Sequence, residues 1–436
     1  MPRVLIVTYY WPPSGGSGVQ RWLKFAKYLP QYGWEPVIYT PENPNFTIED
    51  QSLLSDVASG TTVLKTKIWE PYEIYKALTG KKGQKTNLAY AAKGKKEGFV
   101  HKVALTLRGN LLIPDPRCFW IRPSVKFLLD YLKEHPVDAI ITTGPPHSMH
   151  RIGLGLHRKT GLPWIADFRD PWTNIDFYKE LNLTKPADKI HRRMEQQIIS
   201  EADCVVSVTP TWCAEFAAKH PKKIALVHNG YDEADVAEKG TALDAEFSLV
   251  HIGSINAARN PKVLWKALRE LDEEKPELRG KLKVKLVGNI EEVVFSDIEQ
   301  YKLQDFVEIV GYLSHQEAID FQRKAQLLLL LINNTPNANG ILTGKLYEYM
   351  ASGRPTLAIG PTGSDIAKLL TETDAGTIVD FDDVSGMKVA LISLFEQYKN
   401  GTLHSSASGY EQYSRRAQCG IMAKLLDEAS SCPQEC

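Results

Sequence analysis

The chain contains 436 residues, of which 43% are hydrophobic and 24% are charged, a composition typical of a folded globular protein. This length exceeds that of a single compact core, so we expect two domains. The 52 basic residues balance 52 acidic ones, which argues against a dedicated nucleic-acid-binding protein, and six scattered cysteines without a C-x-x-C pair indicate reduced thiols in the cytoplasm rather than a disulfide framework or a zinc site.

The first half of the chain alternates short β-rich runs with helical patterns. An apolar, β-branched run over Val4–Thr8 predicts a strand buried on both faces, and the run is too short for a signal peptide or a membrane span. Apolar residues at helical spacing follow from Val19 to Leu29. Further buried strands are predicted at Pro36–Tyr39, Ala139–Thr142, Trp164–Ala166 and Cys204–Val208.

The second half repeats the pattern, with strands predicted at Ser248–Ile252, Val284–Val287, Val307–Val310, Leu327–Leu331 and Thr356–Ile359. We therefore expect an α/β protein with two doubly wound, Rossmann-like domains that face each other across a cleft, where ligands bind outside the carboxyl ends of the strands. The predicted boundaries are 1–225 for the first domain, 226–247 for a linker, 248–409 for the second domain and 410–436 for a closing helix.

One basic segment departs from the rest of the chain. From Lys76 to Arg108 there are nine basic residues and only one acidic residue, Glu97, and the aromatic residues Trp120 and Phe127 follow closely. Such a segment, here 76–128, favours contact with anionic lipid headgroups at the inner face of a membrane. A solvated surface loop with lysines for solubility is the alternative.

Two loops that follow predicted strands have residues suited to approach a phosphate. In Pro12–Gly18, Gly15 and Gly16 allow close approach of backbone N–H groups at the start of a helix, although a plain turn explains them as well. In the second domain, Arg259 stands just before a helix that begins near Pro261, where a guanidinium can hold phosphates by forked hydrogen bonds. The alternative is an exposed loop arginine.

The stretch Asn339–Pro355 carries the strongest pattern. A helix is predicted from Thr343 to Ala351, with Lys345 in its first turn, where the helix dipole disfavours a cation unless an anion is bound. Glu348 lies on the same helical face and suits the hydroxyls of a ribose. The alternative is that Lys345 and Glu348 pair with each other.

These motifs together resemble the retaining group 1 glycosyltransferases with the GT-B fold, especially those of bacterial surface-polysaccharide pathways. The likeness extends over nearly the whole chain, through Gly15–Gly16, Asn229–Asp232, Gly253–Asn260, Val310–Tyr312 and the Glu348 helix ending in Gly353-Arg354-Pro355. The resemblance implies that a sugar is transferred with retention from a nucleoside-diphosphate sugar to a glycan or lipid-linked acceptor.

The resemblance also implies residue roles. Arg259 takes the family's basic position on the diphosphate, and Glu348 matches the second glutamate of its E-x7-E pattern, which holds the ribose, whereas the first glutamate falls on Gly340. Ser254 stands where many members have an arginine, and Lys345 compensates for that lost charge. The donor-binding positions are expected to be Gly15, Gly16, Gly253, Ser254, Gly311, Tyr312, Ile341, Leu342 and Glu348.

On the acceptor side, two segments follow predicted strands of the first domain. His147 and Asp170 are candidates to orient an acceptor hydroxyl, with a buried cap or an ion pair between Arg169 and a carboxylate as the alternative. Stabilisation of the departing diphosphate by Arg259 and Lys345 is expected to supply the largest catalytic effect. No D-x-D sequence is expected at a strand end, so no metal requirement is expected.

Two other functions remain open at this stage. A nucleotide-sugar epimerase shares the architecture, although Gly340 leaves no carboxylate where such an enzyme would need one. A non-catalytic subunit that binds a nucleotide sugar is the second alternative. Sugar release measured with and without an acceptor distinguishes the three.

Overall fold

The computed structural model describes residues 1–46, 48–71, 106, 108–235 and 242–431. Most of the basic segment predicted to contact lipid lies outside these residues. The chain divides into two compact units: the first contains Met1–His228 and the carboxyl-terminal stretch from Arg415, and the second contains Asn229–Ser414. Within the described ranges, no helix combines the length and hydropathy needed to cross a bilayer.

The first unit is built on a parallel sheet whose strands follow the order β3-β2-β1-β4-β5-β6-β7. Its strands are β1 (Arg3–Val7), β2 (Glu35–Pro41), β3 (Thr62–Thr66), β4 (Ala139–Gly144), β5 (Trp164–Phe168), β6 (Cys204–Ser207) and β7 (Ile224–Leu226). Its helices are α1 (Ser17–Tyr28), α2 (Ile121–Glu134), α3 (Ser148–Thr160), α4 (Lys185–Glu201), α5 (Pro210–Ala217) and, near the carboxyl terminus, α12 (Arg415–Ser431). The strand order reverses between β1 and β4, where ligands bind in such sheets.

The second unit repeats this architecture with the order β10-β9-β8-β11-β12-β13. Its strands are β8 (Phe247–Ile252), β9 (Leu282–Val287), β10 (Val307–Gly311), β11 (Leu327–Leu331), β12 (Thr356–Ile359) and β13 (Gly376–Val379). Its helices are α6 (Lys262–Glu274), α7 (Glu292–Gln300), α8 (His315–Lys324), α9 (Gly344–Ala351), α10 (Asp365–Thr373) and α11 (Val384–Lys399). The order reverses between β8 and β11.

Helices cover both faces of the second sheet. Leu264 of α6 and Leu391 of α11 belong to the core on one face, and Leu346 of α9 and Leu370 of α10 belong to the core on the other. Burial on both faces explains why Leu327–Leu331 consists only of leucine. The prediction of two doubly wound, parallel α/β sheets is confirmed.

The helix α12 belongs to the first unit although it is the last helix described. Met422 and Leu426 of α12 lie in the same hydrophobic cluster as Trp22 and Phe25 of α1. The Trp34 indole donates a hydrogen bond to Asp427 at 2.9 Å. The chain therefore returns to its first sheet after completing the second unit. Instead of one continuous helix from residue 410, a short 3-10 turn at Tyr410–Tyr413 precedes α12.

Candidate functional site

Three glycines form a connected edge at the carboxyl ends of β8, β9 and β10. Gly253, Gly288 and Gly311 all have positive φ angles, of 146°, 128° and 87°. The Gly253 amide donates to the Val287 carbonyl at 2.8 Å, and the Gly288 amide donates to the Gly311 carbonyl at 2.7 Å. A Cβ on Gly288 would lie 2.4 Å from the Gly253 oxygen. Only glycine satisfies both the angle and the contact, so this edge presents bare backbone.

Arg259 is held beside this edge by three local contacts. It ends the 3-10 turn Ala257–Arg259, and its amide donates to the Asn256 side chain at 3.0 Å. Its Nε donates to Asn333 Oδ1 at 2.9 Å, and its Nη1 donates to the Ser254 carbonyl at 3.1 Å. Arg259 is half-buried rather than a free surface arginine. The Ser254 contact is made by the backbone, so its side chain does not replace the family's arginine.

The helix α9 presents Lys345 and Glu348 on one face. The Lys345 ammonium lies 2.6 Å from Glu348 Oε2, so the ion pair foreseen as an alternative is present. The Tyr349 hydroxyl accepts a hydrogen bond from the Ile252 amide at 3.1 Å, which fixes α9 to the end of β8. At the start of α9, the buried Thr343 hydroxyl has no hydrogen-bond partner among the described residues. The helix therefore begins with a free polar group.

The buried His251 lies at the end of β8, and the charges of Arg259 and Lys345 both affect its protonation. Its Nδ1 lies 2.9 Å from the Leu329 carbonyl, and its buried Nε2 has no partner in the described part of the chain. The pKa of His251 is lowered to about 3, chiefly by burial and also by the positive charges of Arg259 and Lys345, against the opposing effect of the Leu329 hydrogen bond. A Cβ on Gly253 would lie 3.5 Å from Nε2. Arg259 adjoins the Gly253 edge through the Ser254 carbonyl, and α9 is attached to the neighbouring Ile252 amide through Tyr349.

Two backbone amides predicted to approach phosphate are already used. The Gly15 amide donates to the Ile48 carbonyl at 2.9 Å, and a Cβ on Gly15 would lie 2.8 Å from the Ile48 side chain. The Ile341 amide donates to the Ala338 carbonyl at 3.2 Å. Neither N–H has a proton free for a ligand in this structure, which corrects the expectation for both. Close packing against Ile48 explains the glycine at position 15.

The remaining predicted donor positions differ in exposure. Gly16 has a φ of 84° and precedes the first residue of α1. Tyr312, next to Gly311, is 72% exposed, so its ring is open to a ligand such as a base. Leu342 is buried in the core of the second unit and contributes its side chain to packing. Of the predicted site residues, the structure therefore brings together Gly253, Ser254, Gly311 and Arg259 at the strand edge and pairs Lys345 with Glu348 on α9.

The acceptor candidate His147 lies at the start of α3, beside β4. Its ring stacks on Trp172 with centroids 4.6 Å apart and an interplanar angle of 3°. Its buried Nδ1 and the Nε2 of His150 have no hydrogen-bond partner among the described residues. A Cβ on Gly144 would lie 3.0 Å from the first of these atoms and 2.6 Å from the second. Two free ring nitrogens therefore converge on the space above Gly144.

The protonation of these residues follows from their burial. Burial lowers the pKa of His147 well below its usual value, and the nearby His150, His191 and Arg169 add to this effect. Burial also raises the pKa of Asp170, and Arg169 opposes that shift. His147 is therefore neutral near pH 7, with one ring nitrogen able to accept a hydrogen bond.

In the part of the chain that the structure describes, Arg169 does not make the carboxylate ion pair considered from the sequence. Its guanidinium donates to the backbone carbonyls of Gly18, at 2.7 Å, and Pro145, at 2.5 Å. The buried ion pair nearby instead joins Arg21 and Asp167, with Nε–Oδ2 at 3.1 Å and Nη2–Oδ1 at 2.9 Å. Sequence patterns could not select Arg21, because it lies 146 positions from its partner.

The described residues include no group of three or more His, Cys, Asp or Glu side chains that could hold a metal ion. The expectation that no D-x-D sequence occurs at a strand end was wrong, because Asp380–Asp382 directly follows β13. This edge strand was missed because it lacks the continuous apolar run of a central strand.

Comparisons with known proteins agree with this architecture. Residues 16–235, about half of the chain, match the family model described as Glycosyltransferase Family 4. Residues 233–411 match the model described as Glycosyl transferases group 1. No curated protein sequence matches the chain.

Many solved structures share the fold at low sequence identity. The sucrose-phosphate synthase from Thermosynechococcus elongatus has 14% identity and a TM-score of 0.63 over 98% of this chain and 99% of its own. HepE from Anabaena, in complex with UDP-glucose, has 10% identity and a TM-score of 0.56 over 99% and 97%. WaaG, a glycosyltransferase involved in lipopolysaccharide biosynthesis, has 14% identity and a TM-score of 0.56 over 99% and 100%.

The same fold occurs in a UDP-N-acetylglucosamine 2-epimerase, so the fold alone does not separate transferase from epimerase. The two family models, which together extend from residue 16 to residue 411, make that distinction. Enzymes of this group take their sugar from a nucleotide-sugar donor. The chain belongs to the group 1 glycosyltransferases, with a Glycosyltransferase Family 4 region preceding the group 1 region.

Proposed function

We propose that this protein transfers a sugar, with retention of anomeric configuration, from a nucleoside-diphosphate sugar to a glycan or lipid-linked acceptor. The observation that carries the proposal is that Arg259 donates to the Ser254 carbonyl while Tyr349 attaches α9, the helix of Lys345, to the Ile252 amide, so both elements adjoin the bare backbone of Gly253. Two cations next to glycine backbone suit a diphosphate, because the phosphates need both charge and close approach.

In this mechanism the bond between the anomeric carbon and the diphosphate oxygen breaks, and negative charge builds on the departing diphosphate. Arg259 and Lys345 stabilise that charge, together with the free amides at the start of α9. The free Thr343 hydroxyl stands at the same helix end. The leaving phosphate takes the acceptor proton, so the protein itself supplies no base.

Glu348 holds the ribose of the donor. Its partner Lys345 is an ammonium with three N–H donors, so a hydrogen bond to Glu348 leaves others for a phosphate oxygen. The ion pair therefore sets the position of both groups before the donor arrives, and Tyr312 borders the base.

The acceptor binds in the first unit. The neutral His147 and the half-buried Asp170 orient the acceptor hydroxyl beside β4 and β5. The protein acts in the cytoplasm at the inner face of a membrane, which segment 76–128 contacts, and its product belongs to a surface polysaccharide. The fold shared with WaaG, a glycosyltransferase of lipopolysaccharide biosynthesis, supports this class of acceptor.

A thermal-shift panel of UDP, GDP, dTDP, CDP and ADP, each without metal, tests the donor site. A nucleotide at a hundred times its dissociation constant stabilises the folded state by about 2.7 kcal/mol. One clear stabiliser is expected, and the anomeric proton coupling of the product made from the matching sugar donor then reports retention. Stabilisation by none of the five would overturn the donor site. Sugar release that does not need an acceptor would contradict the transferase assignment. Epimerisation of the donor would instead identify the protein as an epimerase.

A further inference from the structure

A groove of about 960 Å³ lies between α2 and α3 on the first unit. Its lining begins at Ile121 and Arg122 at the start of α2 and continues to Lys133 near its end. These twelve helical steps from Ile121 to Lys133 correspond to a length of about 18 Å. The groove does not include any residue assigned above to donor or acceptor.

The floor of the groove is apolar. Val125, Leu129 and Leu132 of α2 face Leu154 and Gly155 of α3 across it. A Cβ on Gly155 would lie 2.9 Å from Val125 Cγ2, so the glycine keeps the two helices close at this point. The floor therefore offers a hydrocarbon chain an apolar path along the helices.

The rim of the groove is basic. Six basic residues and one acidic residue, Asp130, line it, the basic ones being Arg122, Lys126, Lys133, Arg151, Arg158 and Lys159. Asp130 pairs with Lys133, and Arg158 pairs with Glu201.

Arg122, Lys126, Arg151 and Lys159 have no carboxylate in salt-bridge range among the described residues. Arg151 is half-buried and donates to the neutral Gln197 amide oxygen at 3.0 Å. A half-buried guanidinium without a carboxylate favours an anion from outside the protein.

Exposed aromatic residues stand at the same end of α2 as Arg122. Phe119 is 50% exposed and makes an edge-to-face contact with Trp69, which is 54% exposed, with centroids 4.9 Å apart. Exposed aromatic rings beside basic residues are typical of protein surfaces at the membrane–water interface. They favour a bilayer as the source of a ligand that has both a chain and a negative charge.

We propose that the groove between α2 and α3 binds one anionic membrane phospholipid, with its phosphate at Arg122 and Arg151 and its hydrocarbon chain along the half-buried Leu129 and Leu132. This site extends the membrane contact of the proposed function to a defined lipid. It does not depend on the identity of the sugar donor.

Sedimentation of the full chain with phosphatidylglycerol vesicles tests the charged rim, with phosphatidylcholine vesicles for comparison. Binding to the anionic vesicles only is expected. The double variant R122Q/R151Q should bind at least tenfold more weakly. The matched control K266Q/K281Q removes two exposed lysines of the second unit and should bind like the wild type. Nucleotide binding by all variants confirms folding.

Calorimetry with soluble dihexanoyl-phosphatidylglycerol tests the floor. Leu129→Asn should lower the affinity for this lipid at least tenfold. Inorganic phosphate alone should not displace the lipid from the wild-type protein. Unchanged binding by R122Q/R151Q or Leu129→Asn would overturn the groove site, as would full competition by phosphate. If these variants still sediment with anionic vesicles like the wild type, the membrane contact stands and only the groove is wrong. Absence of wild-type binding to anionic vesicles would overturn both.

Discussion

Lys345 and Glu348 form an ion pair across one turn of α9, with Nζ 2.6 Å from Oε2. The pair is partly exposed, so by itself it adds little stability. Lys345 nevertheless lies in the first helical turn, where a cation opposes the helix dipole. Its charge also acts on the buried His251 at the end of β8. Lys345 is unfavourable for the stability of α9 but adds positive charge near the end of β8. We therefore expect it to bind an anionic ligand.

Arg259→Ala and Lys345→Ala should each weaken nucleoside-diphosphate binding by about 10- to 100-fold, because each removes a charged hydrogen bond worth about 1.5–3 kcal/mol. Isothermal titration with the stabilising nucleotide measures the loss. Lys368→Ala is a matched control, since Lys368 pairs with Asp365 three residues away in the first turn of α10. It should bind normally. Equal affinities for wild type, Arg259→Ala and Lys345→Ala would mean that the phosphate site lies elsewhere.

Glu348→Gln should weaken the binding of the nucleotide more than the binding of inorganic pyrophosphate, because in the proposed site Glu348 contacts the ribose and not the phosphates. The double variant Lys345→Ala/Glu348→Gln should lose less than the sum of the single losses, since the two side chains are in contact. A double-mutant cycle by titration calorimetry measures this coupling. Two results would contradict a contact between Glu348 and the ribose: binding free-energy losses that add exactly in the double variant, or equal losses of affinity for nucleotide and pyrophosphate.

The interior strands were predictable from the sequence because both of their faces are buried. The Leu327–Leu331 run and the Val4–Val7 run contain only apolar residues, and each corresponds to a strand. The strands that the sequence did not reveal are β3, β7 and β13, which all lie at sheet edges. Their residues are largely half-buried or exposed, so they lack the continuous apolar run that marks a central strand.

The local parts of the candidate site were also predictable, and the long-range parts were not. Lys345 and Glu348 share a helical face, which a three-residue spacing predicts. The contact of Arg259 with Asn333 depends on how β8 and β11 pair, and sequence spacing carries no information about it. The Gly15 amide was misassigned because its partner, the Ile48 carbonyl, comes from a distant loop.

Asp167→Ala should destabilise the first unit by about 3–5 kcal/mol, because it leaves the Arg21 guanidinium buried without its counter-ion. Asp167 also accepts hydrogen bonds from Trp22 at 2.8 Å and Thr143 at 2.9 Å, so these two donors lose their acceptor as well. Urea unfolding followed by tryptophan fluorescence measures the change. The double variant Arg21→Met/Asp167→Leu should recover part of the loss, since apolar side chains leave no buried charge. A loss below 1 kcal/mol for Asp167→Ala would contradict a structural role for the pair.

The buried His150 should make the protein less stable as the pH falls. Burial lowers the pKa of His150 from 6.5 to about 3, so between these values the unfolded chain binds a proton that the folded chain does not. Above pH 6.5 His150 does not contribute to the pH dependence of stability. Between pH 6.5 and about pH 3 it lowers the free energy of unfolding by about 1.4 kcal/mol for each unit by which the pH falls. His150→Asn should therefore reduce the slope of unfolding free energy against pH between pH 6 and pH 4. The exposed His404 provides the control, and a His404→Asn slope equal to that of His150→Asn would contradict the prediction.

Gly288→Ala should disrupt the donor site specifically. The new Cβ would lie 2.4 Å from the Gly253 oxygen, and the φ angle of 128° strains any other residue. The Gly253 backbone must then move, so nucleotide binding should fall by more than tenfold. Gly280→Ala is the matched control, because its φ angle of 78° imposes similar strain while nothing lies within 4 Å of the new Cβ. Both variants should lose about 1–3 kcal/mol of stability, as strained residues do. In titration calorimetry, only Gly288→Ala should show weakened nucleotide binding. Normal nucleotide binding by the folded Gly288→Ala variant would show that the Gly253 edge does not contact the donor.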